Sequence, residues 1–346
     1  MRSLLKTALF IVFAVVCLAQ APVTNGPLEK MGPSPKLPEL QPEIYMPPPM
    51  QRIAEGEYEM GDHLGTGFSN ERPVHAVYID TFHMDTFEVT NKEYCDFLNS
   101  AYKQEQIRVS GGVVYKKNDT ESYCDTTTSN YRSRITWDGS TFGVTSGKKN
   151  HPMVLVSWYG AAAYANWRSA QEGRIPCYDL YTWNCTFGAG GYRLPTEAEW
   201  EKAARGGEHN PYHDYPWGNT IDGSKANYAN SGDPFETISQ TQTTPVGYYD
   251  GNQIPSGVDM ANGYGLYDMA GNVWEWCNES YDANYYQYCV DHGIYSNPTG
   301  PSINGLRVVR GGTWGGSISL LRCAYRSWAF LPASRDSTLG FRLARD

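Results

Sequence analysis

Charged residues are scarce in this chain, and basic residues are fewer than acidic ones. Only 19% of the 346 residues are charged, and 28 Lys and Arg stand against 37 Asp and Glu, so the formal net charge is −9. Binding to a phosphate backbone relies on an excess of basic side chains, so a nucleic-acid partner is not expected. Loops with this acidic balance suit cations better.

Long apolar runs are also lacking beyond the N-terminus, so no transmembrane helix is predicted. The N-terminus itself combines Arg2 and Lys6 with the apolar residues 9–18, a run too short to span a bilayer comfortably. This pattern is typical of a secretory signal peptide covering residues 1–19. We therefore predict a secreted or cell-surface protein that begins at Gln20 after cleavage.

A lipid anchor at Cys17 is the less favoured alternative for this segment. Val15 and Val16 precede the cysteine where a lipoprotein signal has a small residue.

The seven histidines of the chain are scattered, and the closest pair, His209 and His213, has Pro211 between its members. Proline interrupts a helix, so a helical histidine pair for a metal is not expected.

Glycine and aromatic residues are abundant. The sequence has 35 Gly, 26 Tyr and 10 Trp, and 40% of its residues are hydrophobic, enough for one large or two modest domains. The composition favours long loops held by aromatic packing over plain amphipathic helices.

Residues 20–50 are rich in proline. They are predicted to form either an extended tether or an arm that docks on another copy of the chain or on a partner.

Seven cysteines remain if the signal peptide is removed, and an exported protein can keep disulfides. Two pairs are close in sequence and are predicted to staple small loops: Cys177 with Cys185, and Cys277 with Cys289. A Cys95–Cys124 pair is a weaker prediction that leaves Cys323 unpaired. Sequence alone cannot prove any of these connections.

The stretch from Gly191 to Gly207 is the most informative part of the chain. Thr196 is a good helix N-cap, and Glu199 three residues later completes a capping box. Glycines end the helix at 206 and 207. Thr90 and Ser157 are predicted to cap two earlier helices. Arg193, Glu197 and Glu201 are left to form polar contacts around the core.

Nine blocks in a fixed order resemble the sulfatase-modifying-factor family, the family of the formylglycine-generating enzyme. They are Gly56–Gly61, Phe87–Asn91, His151-Pro152 with Val156–Trp158, Tyr192–Glu201, Pro216–Asn219, Asn262–Leu266, Gly271–Trp276, Arg310–Gly312 and Gly340–Arg342. The resemblance implies one α+β domain over residues 51–346. Its fold is expected to be C-type-lectin-like, with little regular secondary structure and long loops.

The family enzyme oxidises a substrate cysteine with two copper(I)-binding cysteines, since soft thiolates suit that ion. The resemblance places both between the Arg-Gly-Gly block and Arg322-Cys-Ala324. Residues 313–321 contain no cysteine here. Cys323 corresponds to a family disulfide cysteine whose partner position is occupied by Ala204. We therefore expect neither copper nor formylglycine formation.

The resemblance also implies two structural calcium sites built from side-chain and backbone oxygens, which this hard cation prefers. The expected ligands of the first are the side chains of Asn272 and Glu275 with the carbonyls of Ala270 and Val273. Those of the second are Asn230 and Asp233 with the carbonyls of Ser231 and Phe235. The alternative for Asn272 and Glu275 is that they only cap a turn.

Without the thiols, the substrate groove of the family could persist as a binding groove for a protein or glycan ligand. Its expected residues are Thr313, Trp314, Ser317, Ser319, Trp328 and Phe330. Aromatic side chains among small polar neighbours are typical of recognition surfaces. Residues 313–338 also resemble the variable region of diversified ligand-binding proteins with this fold. The alternative is that the aromatic residues belong to the core.

Three functions remain open from the sequence. The favoured one is a non-catalytic binding or assembly module. The second is an enzyme with a different, unrecognised chemistry, which predicts a pocket with a perturbed acid or base. The third is a structural surface or filament subunit that assembles through residues 20–50.

Overall fold

The structure is a computed structural model that describes residues 45–207, 210–236, 242–301 and 305–346. Four α-helices lie in these ranges: α1 Asn91–Lys103, α2 Trp158–Gln171, α3 Glu197–Ala204 and α4 Tyr285–His292. The first nine strands are β1 Met50–Ile53, β2 Gly56–Met60, β3 His75–Ile79, β4 Phe82–Asp85, β5 Ile107–Ser110, β6 Val113–Lys116, β7 Ser122–Asp125, β8 Ile135–Trp137 and β9 Phe142–Val144. The other five are β10 Trp274–Ser280, β11 Arg307–Arg310, β12 Ser327–Phe330, β13 Leu339–Gly340 and β14 Ala344–Arg345.

The strands form several small sheets joined by long loops. The largest has the order β12-β11-β10-β13, with β13 parallel to β10 and the other pairs antiparallel. A second sheet has the order β1-β4-β14, and β5-β6-β7, β2-β3 and β8-β9 complete the set. Short strands mixed with four helices and long connections confirm the expected α+β class.

The three predicted helix starts are confirmed. Thr90 and Thr196 accept a hydrogen bond from the backbone N–H three residues later, and the glutamate there bonds back to the cap, which makes two capping boxes. Ser157 accepts from the backbone N–H of Gly160. Sequence reasoning missed α4, whose N-terminal residue Asn284 makes no side-chain capping bond.

The C-terminal extended segment is divided into two short strands, β13 and β14. Between them Arg342 is fully buried and bonds to Glu275 on β10. The chain therefore leaves the β10 sheet at Gly340 and joins β4 at Ala344. The buried ion pair explains why a single extended run does not form here.

Helix α3 packs on β2, β3 and β10 with its polar side chains buried as ion pairs. Glu201 contacts Arg205 at 2.6 Å and Arg310 at 2.5 Å, and Glu197 contacts Arg326 at 2.7 Å. The predicted polar contacts of this helix are thus present. They tie α3 to β11 and to the segment that precedes β12.

Residues 1–44 lie outside the described residues, so the predicted signal peptide and most of the proline-rich arm are not placed. The end of the arm contacts the domain: Pro49 O accepts from Thr86 N, and Pro48 O accepts from Arg168. No helix in the described part of the chain is long and apolar enough to cross a membrane.

Candidate functional site

The loop between β11 and β12 lies where the family resemblance places the two catalytic cysteines. Thr313 is buried, and the backbone N–H of Trp314 donates to Asn272 O at 2.8 Å. The Trp314 indole donates to Ser337 O at 3.1 Å. The start of this loop is therefore fixed to the segment 271–275 by a backbone hydrogen bond and to Ser337 by the indole hydrogen bond.

The tip of the loop is a short 3-10 helix, Ile318–Leu321, preceded by two glycines at 315 and 316. Ser317 and Ser319 are exposed, and their hydroxyl oxygens lie 2.9 Å apart. Ile318 is 46% exposed between them. The tip thus presents two hydroxyl groups beside an apolar side chain, and no residue from 313 to 321 carries a thiol.

The other two groove residues, Trp328 and Phe330, lie on β12, which pairs with β11. Phe330 pairs in register with Arg307, at the end of β11 opposite to Thr313, and its ring packs on Trp276. The side chain of Trp328 lies outside the described residues. Phe330 therefore contributes to the core, as the alternative interpretation expected, while the loop residues 313–319 stay together.

Cys323 is a buried free thiol in the second hydrophobic cluster, which also contains Ala204. Burial raises the pKa of Cys323 to about 12, although Arg205 and Arg310 act in the opposite direction. A thiol that stays protonated at neutral pH is a poor nucleophile and metal ligand. The pairing state of Cys323 stays a prediction.

The predicted disulfides are not formed in this structure, where all seven described cysteines are free. Cys277 is fully buried on β10, and Cys289 on α4 contacts the Tyr285 hydroxyl. Burial raises the pKa of both thiols, which favours the protonated state. Cys177 and Cys185 lie on adjacent segments, where Thr186 N donates to Cys177 O, so that pairing stays a prediction.

The first predicted calcium loop has one residue that does not fit the role. Glu275 accepts two hydrogen bonds from Arg342, at 2.8 and 2.7 Å, and one from the Trp200 indole at 2.8 Å. Its charge is neutralised and both oxygens are engaged. Glu275 therefore serves as an anchor between β10, α3 and the C-terminal strand pair.

Asn272 instead joins a buried group of oxygens. Its Oδ1 accepts from Thr244 N and Asn227 Nδ2, and its Nδ2 donates to Glu88 Oε1 at 2.9 Å. Asn227 Oδ1 and Thr244 Oγ1 are buried without a partner. Unsatisfied buried oxygens are costly unless a cation or water reaches them.

Two carboxyl groups meet beside this asparagine. Glu88 is almost completely buried and its Oε2 has no hydrogen-bond partner, while the neighbouring Asp268 accepts from Gly247 N at 2.6 Å. Burial raises the pKa of both groups. A buried carboxyl beside a second, half-buried one either keeps a proton or binds a cation, so this group fits a hard cation better than Glu275 does.

The second predicted calcium loop is closed by its own hydrogen bonds. Asp233 accepts from Ser231 Oγ at 2.7 Å and from Phe235 N at 2.8 Å. Glu236 accepts from the backbone N–H groups of Ser231 and Gly232. Asn230 is exposed with a φ of 67°. Within the described ranges no three His, Cys, Asp or Glu side chains converge on a metal position.

Comparison with known proteins decides the family. The model of the sulfatase-modifying factor enzyme 1-like domain matches residues 36–346. The chain belongs to this family. The match begins before the predicted domain start at residue 51 and includes the end of the arm that contacts the domain.

The relatives similar to this chain differ in the share of their own length that the match covers. Serine/threonine-protein kinase Pkn1 of Chlamydia trachomatis serovar L2 is 34% identical over 294 residues, which are 85% of this chain and 38% of the kinase. The chain thus spans about two fifths of that relative. Formylglycine-generating enzyme of Streptomyces coelicolor is 31% identical over 85% of this chain and 88% of the enzyme.

Solved structures confirm the fold of this sulfatase-modifying-factor domain. Treponema denticola variable protein 1 superimposes with a TM-score of 0.55 at 24% identity, over 86% of this chain and 94% of that protein. Likeness at this identity carries the fold alone. It agrees with the fold expected from the nine sequence blocks.

Sequence reasoning missed the roles of Glu88, Asp268 and Arg342 in this domain. Glu88 lies within the Phe87-Glu-Val-Thr-Asn91 block and Arg342 within the last block, so both were visible as motif residues. Their partners are far away in sequence, and only the fold brings them to Asn272 and Glu275. An isolated acidic residue before a capping threonine carries no signal of burial.

Proposed function

We propose that this sulfatase-modifying-factor domain is a secreted or surface binding module that does not form formylglycine. The observation that carries the proposal is the loop 313–321, which has serine hydroxyls and glycines where the family enzyme has two thiols. Cys323 is buried with a raised pKa, so it cannot supply the missing pair. Copper is not expected to bind.

The test is direct. Purified protein is titrated with copper(I) against a competing chromogenic chelator and incubated with a cysteine-containing sulfatase peptide, and the peptide mass is followed. The formylglycine-generating enzyme of Streptomyces coelicolor is the positive control. We expect no copper-dependent loss of the peptide thiol. Turnover with tight copper binding refutes this part and favours an enzyme.

The exposed tip of the same loop supports a ligand-binding role. Ser317, Ile318 and Ser319 combine hydrogen-bonding hydroxyls with an apolar contact on a base that is fixed by Trp314. A rigid base with a small polar tip suits recognition of a protein or glycan. Screening on a glycan array and a library of surface proteins tests this. Any hit should be lost in a Ser317→Asp/Ser319→Asp variant and kept in an Asn252→Asp control.

We further propose that calcium stabilises the domain through Glu88 and Asp268, with Asn272 orienting Glu88. The unpartnered oxygens of Asn227 and Thr244 support a hard cation in this group. Calcium should raise the Tm and chelator should lower it, while Glu88→Gln should remove the response. Asp233→Asn in the self-closed second loop is the matched control. A Tm unchanged by chelator refutes the calcium proposal.

A structural filament subunit remains the second candidate, because Pro48 and Pro49 attach the end of the proline-rich arm to the domain. Removing residues 20–44 and measuring the mass of the assembled protein by light scattering distinguishes a filament subunit from a binding module. Loss of assembly with an unchanged Tm favours the filament. An unchanged mass favours the binding module. N-terminal sequencing of the exported protein, with Gln20 expected first, tests the localisation.

A further inference from the structure

A polar cavity of about 340 Å³ opens beside the ends of β10 and β11. Its lining includes Glu279 and Asn278 on β10, Arg307 on β11, and Trp158 and Trp183. This volume is within the range of small-molecule sites. The cavity lies at the opposite end of β11 from Thr313, so it is separate from the loop tip discussed above.

Arg307 is held in one orientation in this cavity. Its guanidinium stacks over the Trp158 ring at 4.0 Å from the ring centre. Nη1 donates to Asn278 O at 2.7 Å. Stacking and a hydrogen bond on one side fix the plane of the guanidinium, so little conformational entropy is left to lose on binding.

The opposite edge of this guanidinium lacks a partner. Nε is buried without a hydrogen bond, and no carboxylate in the described part of the chain forms an ion pair with Arg307. Nε and Nη2 form the edge that binds carboxylates in two parallel hydrogen bonds. Arg326 and Arg342 use this same edge to hold Glu197 and Glu275.

Glu279 adds a second polar group to the cavity. Its Oε1 accepts from Glu197 N at 2.7 Å, and its Oε2 is buried without a partner. Burial, and next the neighbouring Glu197, raise the pKa of Glu279 to about 8. At neutral pH it is therefore mostly an uncharged carboxylic acid that can donate a hydrogen bond.

We propose that this cavity binds a small planar carboxylate between the Nε/Nη2 edge of Arg307 and the carboxyl group of Glu279. The bound carboxylate pairs with Arg307 in the way that Glu197 pairs with Arg326 and Glu275 pairs with Arg342. It comes from a free acid, an acidic peptide side chain or a uronic acid. The inference stands whether or not the loop tip binds a ligand.

Binding is measured by following indole N–H signals of the ¹⁵N-labelled full chain at constant ionic strength. The ligands are acetate, N-acetyl-aspartate methylamide and glucuronate, which represent the three sources, with sulfate as the non-planar comparison. The Trp183 signal is assigned with Trp183→Phe. We expect at least one carboxylate to shift the Trp183 signal saturably and leave the distant Trp217 signal in place.

Variants connect this response to Arg307. Arg307→Met should weaken binding of the preferred carboxylate at least tenfold, Arg307→Lys should weaken it less, and the exposed Arg52→Met should leave it unchanged. Circular dichroism and Tm show whether each variant is folded. If Arg307→Met is unfolded, the carboxylate affinity of Arg307→Lys and the shift of the Trp183 signal in the natural chain test the proposal instead. Absence of saturable binding, unchanged affinity in the folded Arg307 variants, or equal affinity for sulfate overturns the proposal.

Discussion

Replacing Glu201 by glutamine should destabilise the domain by about 3 kcal/mol at neutral pH, with a smaller loss in acid. Glu201 is fully buried on α3 and accepts hydrogen bonds from Arg205, from Arg310 at 2.5 Å and from Gly61 N at 2.9 Å. Glutamine keeps the shape and loses the charge. Two buried guanidinium groups then lack their shared counter-ion, which is the costly way to break a buried ion pair.

The magnitude follows from the titration of this carboxyl. Burial raises the pKa of Glu201, but Arg205 and Arg310 outweigh burial and lower it from 4.5 to about 2. Each pKa unit corresponds to about 1.4 kcal/mol, so the charged form stabilises the folded state by about 3 kcal/mol. Because the folded pKa is the lower one, this stability is present above pH 4.5 and is lost as pH falls towards 2.

Urea unfolding at a series of pH values from 7 to 2.5 measures the effect. The quantity of interest is the difference in unfolding free energy between the natural chain and Glu201→Gln at each pH, because other carboxylates then cancel. The exposed Glu59→Gln is the control and should stay within about 0.5 kcal/mol. A variant as stable as the natural chain at pH 7, or a difference that does not shrink in acid, refutes the reasoning.

Three further predictions concern single positions. Thr196→Ala should cost about 1 kcal/mol of unfolding free energy by removing the cap of α3, whereas Thr196→Ser should restore it. Gly271→Ala should lower the Tm far more than Gly147→Ala. Both glycines have positive φ, but a Cβ at 271 lies 2.3 Å from Asn227 O and one at 147 meets nothing within 4 Å. Glu279→Gln should gain stability relative to the natural chain as pH rises from 5 to 9. The pKa of Glu279 is raised from 4.5 to about 8, so the natural chain loses stability over this window. Equal curves for the two proteins contradict this.

Local patterns predicted the parts of the fold that depend on neighbours in sequence. The caps at Thr90, Ser157 and Thr196 need only a side chain and an N–H three residues apart, so they were readable. The division of the C-terminal segment into β13 and β14 could not be predicted in this way, because it depends on the burial of Arg342 against Glu275, 67 residues away. Helix α4 was also missed, and in the structure its N-cap Asn284 makes no side-chain capping hydrogen bond.

The candidate sites divide in the same way. The thiol-free loop 313–321 was visible in the sequence, since the presence of a residue type needs no structure. The expected calcium ligand Glu275 is neutralised by Arg342, and the calcium proposal therefore turns to Glu88 and Asp268, because ion pairing is decided by what the fold brings within 3 Å. Phe330 went to the core for the same reason.

The amino-acid sequence by itself determined the family, the α+β class and the chemistry that residues 313–321 can offer. Each of these depends on which residues occur and in what order. Only the tertiary structure decided which charges are neutralised and which remain open. Arg310, Arg326 and Arg342 meet carboxylates, while Arg307 is fixed on Trp158 with one edge unoccupied. Burial gives this difference its energetic weight. A buried donor without a hydrogen-bond partner carries an unfavourable desolvation free energy, which a bound acceptor removes.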